Sequence, residues 1–486
     1  MNLKVISRNV GFALLVSALF MFLSIVVSVL RGNDSALAAL IISFTITFIV
    51  GVFPFIFVRK TSSITLQEGY VIITLSWLMS FVFGMLPYAL WGGPFTLANA
   101  WFESVSGFTT TGATILENVE VLPDSLLFWR ASTHFIGGLG VVVFLLLIIP
   151  GSSPMRMRLT NMELSSLSKR GYSSRPNKTV YIFASVYLGL TIAAFAAYLL
   201  VGMRPLEAIC HAMSVCATGG FSTRTLSIAA FDSAGVEIVT MVFMYLASIH
   251  FGLVFLCIVN RSLRPLDNPV LRFFSLSVVV VALITGLSLK LFGVESSLGE
   301  ALWHGAFQTL SIASTSGFAV VDNSAWPLLP SFLLMMMSVM CGCAGSTTGG
   351  VKADRVLVLL KSVGRQIGRI LHPSLVNEVR LGRRVLRDEE VTPHILYISL
   401  YFFILAVSVL LCLIAGVNSS SALSGSLSCL GNVGPAIAEI GSMGNFNSIC
   451  NAGKLVFTLD MFLGRIEIYP VLAVVAMIFD SHRGRL

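Results

Sequence analysis

The chain has 486 residues, of which 56% are hydrophobic and only 11% are charged, with a formal net charge of +8. Soluble domains carry about 25% charged residues, so a chain of this length and composition cannot cover a water-facing surface. Runs of roughly 20 apolar residues recur, and each could cross ~30 Å of hydrocarbon as a helix. The composition excludes a soluble protein and predicts an all-α integral membrane protein. No nucleic-acid partner is expected.

Two apolar spans, at about 11–30 and 36–58, come first. Lys4 and Arg8 precede the first span, as in a signal peptide. This apolar run is longer than the 7–15 residues of a signal-peptide core, and a second span follows it at once. A retained helix is therefore predicted, and residues 1–62 form a two-helix prefix.

Four units follow, each with a long apolar span, a short apolar run, a triplet ending in glycine and a second span. Gly219 lies 107 residues after Gly112, Gly317 lies 98 after Gly219, and Gly434 lies 117 after Gly317. Spacing of this regularity indicates a structural repeat. The predicted pore repeats are 63–160, 161–265, 266–390 and 391–486. The triplets are Thr110-Thr111-Gly112, Ala217-Thr218-Gly219, Thr315-Ser316-Gly317 and Asn432-Val433-Gly434.

This order predicts ten crossings and four short hairpins that enter and leave the membrane on one side. If the N-terminus is inside, 24 of the 31 lysines and arginines lie in predicted inner segments, namely the N-terminal tail, 59–60, the basic loop 151–178, 261–272, 352–387 and the C-terminal tail. Short loops that are rich in lysine and arginine stay on the cytoplasmic side. Both termini are therefore predicted to be cytoplasmic, and all four triplets are predicted to lie on the outer side.

The triplets are candidates for a cation filter. Irregular backbone at membrane depth cannot be satisfied by lipid, so it must face protein or a water-filled path. Four such loops around one axis would offer rings of carbonyl oxygens that replace the hydration shell of a cation. The negative C-terminal ends of the short helices would add to this preference. For any single triplet, the alternative is an ordinary helix cap or turn. The triplet recurs four times on one predicted side, and this recurrence favours the filter.

The chain resembles the TrkH/KtrB potassium-uptake proteins over its whole length, and its two-span prefix is more similar to TrkH than to KtrB. The resemblance implies four pseudo-repeats of helix, pore helix, filter loop and helix around a central pore, one pore per subunit of a homodimer. It also implies K⁺ uptake in the bacterial inner membrane, with Na⁺ and Rb⁺ as further candidate ions, and a cytosolic TrkA-like nucleotide-binding regulatory subunit. No triplet continues into the Tyr-Gly of the potassium-channel filter. The matching stretches are residues 100–113, 217–223, 342–350, 372–373 and 462–465.

The second span of the third repeat is interrupted. Its apolar run of fourteen residues ends at Met340, and fourteen helical residues rise about 21 Å. The Gly/Ser/Thr-rich stretch that follows is therefore predicted to unwind at or below mid-membrane and to line a cavity. A small-residue packing surface between helices is the alternative. The resemblance implies an intramembrane gate formed by Gly345, Ser346, Thr347, Thr348, Gly349 and Gly350.

Arg465 lies near the centre of the predicted last span, at about 455–479, where a charge is costly and usually functional. The resemblance places it by the pore below the filter, as part of the gate. A structural pairing with Asp460 or Glu467 is the alternative. The basic, amphipathic segment 352–390 is expected either to meet anionic lipid or to dock the cytosolic partner.

The interpretation is a channel-like potassium pore that is not an enzyme and has no cofactor, with K⁺ as the transported ion. Two other functions stay open. An ion-coupled (Na⁺ or H⁺) secondary transporter would share the broken helix but predicts inverted repeats. A membrane enzyme or scaffold would use Glu103 and the histidines. A Cys429–Cys450 disulfide is a further open possibility.

Overall fold

The computed structural model of the protein describes residues 2–58, 64–148, 176–372, 378–382 and 384–482. Most of the basic loop predicted at 151–178, together with Arg59, Lys60 and Pro373, lies outside the described residues. The fold is all-α, as predicted, apart from one antiparallel hairpin of β1 (Val379–Leu381) and β2 (Arg384–Leu386). In chain order the helices are α1 (Leu3–Leu30), α2 (Leu37–Phe57), α3 (Leu66–Gly84), α4 (Leu86–Trp91), α5 (Leu97–Phe108), α6 (Asp124–Ile148), α7 (Pro176–Leu200), α8 (Pro205–Ala217), α9 (Ala234–Ser248), α10 (Phe251–Asn260), α11 (Pro269–Leu291), α12 (Leu298–Ala313), α13 (Leu328–Met340), α14 (Ala353–Leu371), α15 (Asp388–Ile414), α16 (Ser419–Gly431), α17 (Asn451–Arg465) and α18 (Tyr469–His482).

The four short helices α5, α8, α12 and α16 each follow a long apolar helix and precede the second helix of their repeat. The second helix also packs against the short helix of the next repeat: α6 against α8, α9 against α12, and α13 against α16. In the fourth repeat α17 packs against α5, the short helix of the first repeat. The four repeats therefore close into a ring, and all of them run in the same sense.

The two-helix prefix packs on the outside of this ring. Helix α1 lies along α2 and also contacts α3 and α6. The two prefix helices cross closely, because a Cβ added to Gly11 would lie 2.6 Å from the carbonyl oxygen of Gly51. The turn between them is tied to the first repeat, since an Asp34 carboxylate oxygen accepts from the backbone N–H of Ser125 at 3.1 Å. This contact caps the N-terminus of α6.

The second helices of the repeats differ from the predicted crossings. Six helices are long and apolar enough to cross a membrane, and two bent pairs would bring the number to eight among the described residues, against the ten predicted. The sequence predicts straight second spans for the second and fourth repeats, at about 235–259 and 455–479. Both predictions are wrong, because α9 and α10 meet at 101° and α17 and α18 at 107°. In the first repeat, Gly140 interrupts α6 with a φ of 75°. In the third, α13 ends after 13 residues.

The ends of the helices follow from local side-chain chemistry. Helix α3 begins with a capping box, in which the Thr65 side chain accepts from the N–H of Glu68 and the Glu68 carboxylate accepts from the N–H of Thr65. Thr96 caps α5 with its side chain, which accepts from the N–H of Asn99 at 3.3 Å. Such caps satisfy N–H groups that have no partner within the helix.

All eight cysteines are free, so the disulfide left open by the sequence is not formed. Cys429 is buried within α16, whereas Cys450 is exposed just before α17.

Candidate functional site

Each short helix ends in the same way. A residue with a left-handed backbone lies one or two positions after each helix, with a φ of 52° at Thr110, 56° at Thr218, 54° at Thr315 and 53° at Asn432. The N–H of that residue donates to the carbonyl three residues back, at 3.0 to 3.1 Å. The next N–H donates to the carbonyl of a serine five residues back, at 2.9 to 3.0 Å. This pair of bonds is the Schellman motif. The four serines are Ser106, Ser214, Ser311 and Ser428.

A glycine with positive φ comes two residues after each left-handed residue. The φ angles are 80° at Gly112, 80° at Gly220, 69° at Gly317 and 95° at Gly434. In the second repeat the structurally equivalent glycine is thus Gly220, and the triplet 217–219 selected from the sequence lies one residue too early. Ala217 is the last residue of α8. We call the segments 110–112, 218–220, 315–317 and 432–434 the central tripeptides.

The central tripeptides touch one another in a closed ring. A Cβ added to Gly112 would lie 1.9 Å from the carbonyl oxygen of Gly219, and one added to Gly220 would lie 1.9 Å from that of Ser316. A Cβ added to Gly317 would lie 2.5 Å from the carbonyl oxygen of Val433, and one added to Gly434 would lie 2.3 Å from that of Thr111. Each glycine therefore lies against the middle residue of the next tripeptide, and the fourth returns to the first. Only glycine fits these positions without displacing backbone.

A cavity that is open to solvent lies over this ring, and its lining includes Gly112, Gly220, Gly317 and Gly434. The middle residues of the tripeptides are buried beneath it. Side chains also link the ring, since the Asn432 Nδ2 donates to the Thr111 Oγ1 at 3.1 Å and to the carbonyl oxygen of Met461 at 2.8 Å. The fourth tripeptide is thus bonded both to the first tripeptide and to α17.

The loops that follow the first two central tripeptides are also joined to each other. The Thr225 N–H donates to the Glu120 carboxylate at 3.0 Å. Burial raises the pKa of Glu120, but the hydrogen bonds from Thr225 outweigh this effect and leave the pKa below its usual value. The carboxylate is therefore held in its charged, accepting form.

The interruption predicted in the third repeat is present. Residues 341–352, which we call the inner segment, join α13 to α14 without regular structure, and nearly all of them are buried. The Thr347 Oγ1 donates to the carbonyl oxygen of Cys216 at 3.0 Å. The Gly349 N–H donates to the Thr315 Oγ1 at 3.1 Å. The inner segment therefore contacts both the end of α8 and the third tripeptide.

The inner segment is also packed against the fourth repeat. A Cβ on Gly349 would lie 2.3 Å from the carbonyl oxygen of Gly431, the last residue of α16. Lys352 and Arg355, predicted to belong to a basic cytoplasmic segment, are instead buried at the start of α14. The Lys352 ammonium donates to the backbone oxygen of Thr348, so it folds back onto the segment.

Arg465 is the last residue of α17, at the bend before α18, rather than in the middle of a straight span as predicted. Its guanidinium donates to the carbonyl oxygen of Thr347 at 2.7 Å and to that of Gly137 at 2.5 Å. It thus connects the inner segment to α6 of the first repeat. Of the two carboxylates proposed as structural partners, Glu467 pairs with Arg355 at 2.6 Å and Asp460 accepts from Ser408.

The other polar residues selected from the sequence do not form a catalytic cluster. Glu103 forms a buried ion pair with Arg130, a residue that the sequence analysis did not single out. His134, His211 and His250 bond to different elements, with Ser214, Ser222 and Gly252 as their respective partners. Within the described ranges no three His, Cys, Asp or Glu residues gather as a metal site.

The fold and this ring define a multi-pass membrane protein built around four loops that turn back beside one axis. A family model described as "TrkH: Cation transport protein" matches residues 36–483, and the chain belongs to this family. The resemblance expected from the sequence is thereby confirmed.

Relatives of the chain match it over nearly their whole length. The Trk system potassium uptake protein TrkH of Halomonas elongata is 33% identical over 478 residues, covering 97% of this chain and 98% of that protein. Its counterpart in Vibrio parahaemolyticus is 30% identical over 484 residues, or 99% of each chain. The crystal structure of the potassium transporter TrkH from Vibrio parahaemolyticus superposes with a TM-score of 0.87 at 30% identity, covering 97% of this chain and 98% of that one.

Proposed function

We propose that the protein takes up K⁺ across the bacterial inner membrane through a channel-like pore, with the central tripeptides as its filter. The observation that carries this proposal is the closed ring of four tripeptides. Within the described residues, no backbone N–H donates to a carbonyl of any central tripeptide. Buried carbonyl oxygens need a partner, and a partly dehydrated cation at the axis supplies one.

The helices around the ring favour a cation over an anion. All four short helices have their C-terminal ends at the central tripeptides. The C-terminus of a helix carries about half a negative charge. Their Schellman bonds consume the two N–H groups that follow each helix, so donors that would attract an anion are occupied. The printed names of the relatives, Trk system potassium uptake proteins, support K⁺ as the ion.

The inner segment is proposed to be the gate of this pore. It is irregular, lies against the tripeptide of the third repeat, and is held by Arg465 through the carbonyl oxygen of Thr347. Loss of the Arg465 contact would free the segment to move away from the axis. The positive charge itself also slows ions. At roughly 5 Å and an effective dielectric constant near 20 it would repel a cation by about 3 kcal/mol.

The gate is proposed to respond to a cytosolic, TrkA-like nucleotide-binding subunit, with the chain acting as a homodimer whose termini are cytoplasmic. The name "Trk system" given to the relatives supports a multi-component assembly. Helix α14 follows the inner segment directly and carries basic residues such as Arg365 and Arg369. A partner bound to α14 would therefore act on the gate through continuous chain, and anionic lipid would meet the same basic residues.

The experiment is ⁸⁶Rb⁺ uptake by liposomes that contain the purified chain. We expect uptake that unlabelled K⁺ suppresses at lower concentration than Na⁺ does, and that does not require a pH or Na⁺ gradient. Empty liposomes give the background. Uptake that appears only with an imposed pH or Na⁺ gradient would replace the pore by a coupled transporter, and no uptake under any gradient would overturn the proposal.

A further inference from the structure

One position, equivalent in all four short helices, connects three of them to the irregular segment that follows the central tripeptide, which we call the outgoing strand although it belongs to no β-sheet. It lies seven residues before the left-handed residue and is occupied by Glu103, His211, Gln308 and Gly425. The first three side chains bond to the outgoing strand of their own repeat. Glu103 accepts from the Ile115 N–H at 3.1 Å, the His211 Nε2 bonds to the Ser222 Oγ at 2.9 Å, and the Gln308 Nε2 donates to the carbonyl oxygen of Val321 at 2.8 Å.

The connection in the first repeat is the strongest of the three, because it is an ion pair. The Arg130 Nε donates to the Glu103 Oε1 at 2.8 Å, and the two side chains are 2% and 0% exposed. The Thr114 Oγ1 donates to the same carboxylate at 2.9 Å and accepts from the Arg130 Nη2 at 3.2 Å. Glu103, Thr114 and Arg130 thus form one closed network directly after the first tripeptide.

Arg130 also reaches the second repeat. Its Nη1 donates to the carbonyl oxygen of Ser222 at 3.1 Å, and its guanidinium lies 3.8 Å from the centre of the Phe221 ring. The opposite face of Phe221 stacks on His134 at 4.1 Å. Phe221 directly follows Gly220, so the ion pair holds the outgoing strands of two adjacent tripeptides together.

We propose that Glu103 and Arg130 are positioning residues that set the spacing of the first two central tripeptides, and with it the preference for K⁺ over Na⁺. This inference rests on the proposed filter. A smaller ion is coordinated well only if the carbonyl oxygens close in around it, and strands that are bonded to a rigid network resist that movement. A buried ion pair is suited to this role, because separating its charges leaves each without compensation.

The same burial argues against a simpler role for Glu103, namely attracting cations to the outer mouth. Its carboxylate is fully buried and neutralised by Arg130, so its charge adds little to the field in the vestibule.

The Glu207–Arg224 pair, on the next short helix and its outgoing strand, provides a matched control. Those side chains are 13% and 34% exposed, so this pair is open to solvent, unlike the Glu103–Arg130 pair.

The test measures how strongly Na⁺ and K⁺ compete with ⁸⁶Rb⁺ in liposomes containing Glu103→Gln, Arg130→Gln, the double variant or Glu207→Gln. We expect either single variant of the pair to lower the K⁺-over-Na⁺ preference roughly fivefold, equivalent to about 1 kcal/mol of differential binding. The double variant should lose no more than a single one, because the two residues act as a unit. Glu207→Gln should retain the full preference.

Arg130→Lys covers the case in which the neutral variants fail to fold. Lysine keeps the charge but cannot bond to Glu103, Thr114 and Ser222 together, so we expect flux with an intermediate preference. Unchanged selectivity in a folded Glu103→Gln or Arg130→Lys protein would overturn the inference. A Gly112→Ser variant, measured in parallel, distinguishes failure of the positioning role from failure of the proposed filter. If it loses selectivity while the ion-pair variants keep it, the filter stands and the positioning role fails, whereas full selectivity in Gly112→Ser would overturn the filter itself.

Discussion

The two halves of the central axis, the tripeptide ring and the part around the inner segment, are built on opposite plans. In the ring all four repeats contribute the same feature, a short helix that ends in a Schellman motif and a glycine lying against the next tripeptide. Around the inner segment the contributions are unequal. The third repeat supplies the inner segment, and the fourth supplies Arg465.

For the proposed filter and the proposed gate, this difference matches the physical demands of ion selection and pore closure. Coordinating a bare cation needs oxygen atoms on all sides at equal distance, which four equivalent loops provide. Closing a path needs only one obstacle with two stable positions. The comparison therefore predicts that substitutions in the ring change which ion passes, whereas substitutions at the inner segment change how fast ions pass.

The largest effect is expected for Gly112→Ser. The new Cβ would start 1.9 Å from the carbonyl oxygen of Gly219, at a residue with a φ of 80°. Both the clash and the backbone strain act on the ring, so we expect the preference for K⁺ over Na⁺ to fall at least about tenfold, measured as competition with ⁸⁶Rb⁺. Gly189→Ser is the control, because a Cβ there meets nothing within 4 Å. Equal selectivity in the two variants would place Gly112 away from the axis.

A smaller effect, on rate alone, is expected for Arg465→Ala. The substitution removes the bond to the Thr347 carbonyl oxygen and a positive charge below the ring. We expect faster ⁸⁶Rb⁺ flux with unchanged selectivity, by about tenfold, which corresponds to about 1.4 kcal/mol. This is less than half of the repulsion of about 3 kcal/mol, because polar groups near the path offset part of it. Arg465→Lys should be intermediate, because an ammonium is a point charge without the planar fork of the guanidinium. The control is Arg272→Ala, which removes an exposed guanidinium. A flux equal to or slower than that of the parent would contradict this role.

The smallest effect on transport is expected at a site that belongs to neither half. Thr65→Ala removes the capping box at the start of α3, and losing such a cap costs about 1 kcal/mol of stability. We expect a lower melting temperature in detergent, with flux per folded molecule and selectivity unchanged. A change of selectivity in Thr65→Ala would show that general destabilisation mimics the ring variants.

The repeat order and the interrupted third repeat could be predicted from sequence because they depend on local signals. Short apolar runs ending in glycine mark the hairpins, and the stretch from Cys341 marks the break. The correct glycine of the second repeat could also have been predicted from the sequence. A serine lies six residues before Gly112, Gly220, Gly317 and Gly434, but Met213 lies six before Gly219. That serine carries the carbonyl that closes each Schellman motif.

The bent second helices could not be predicted from hydropathy, because an average over a window is the same for a straight helix and a bent one. The bend before α18 instead depends on positive φ at Glu467 and Ile468, residue types that rarely adopt it. The Glu103–Arg130 pair was missed for another reason. The two residues are 27 positions apart, on different helices, and nothing in the local pattern around either one indicates the other.

The most direct test of the central claim is the position of Tl⁺, an electron-dense substitute for K⁺, in crystals of this protein. We predict an anomalous peak on the axis of the ring, among the carbonyl oxygens of Thr111, Gly219, Ser316 and Val433. Tl⁺ bound only elsewhere in the membrane region, with the ring empty, would contradict the account.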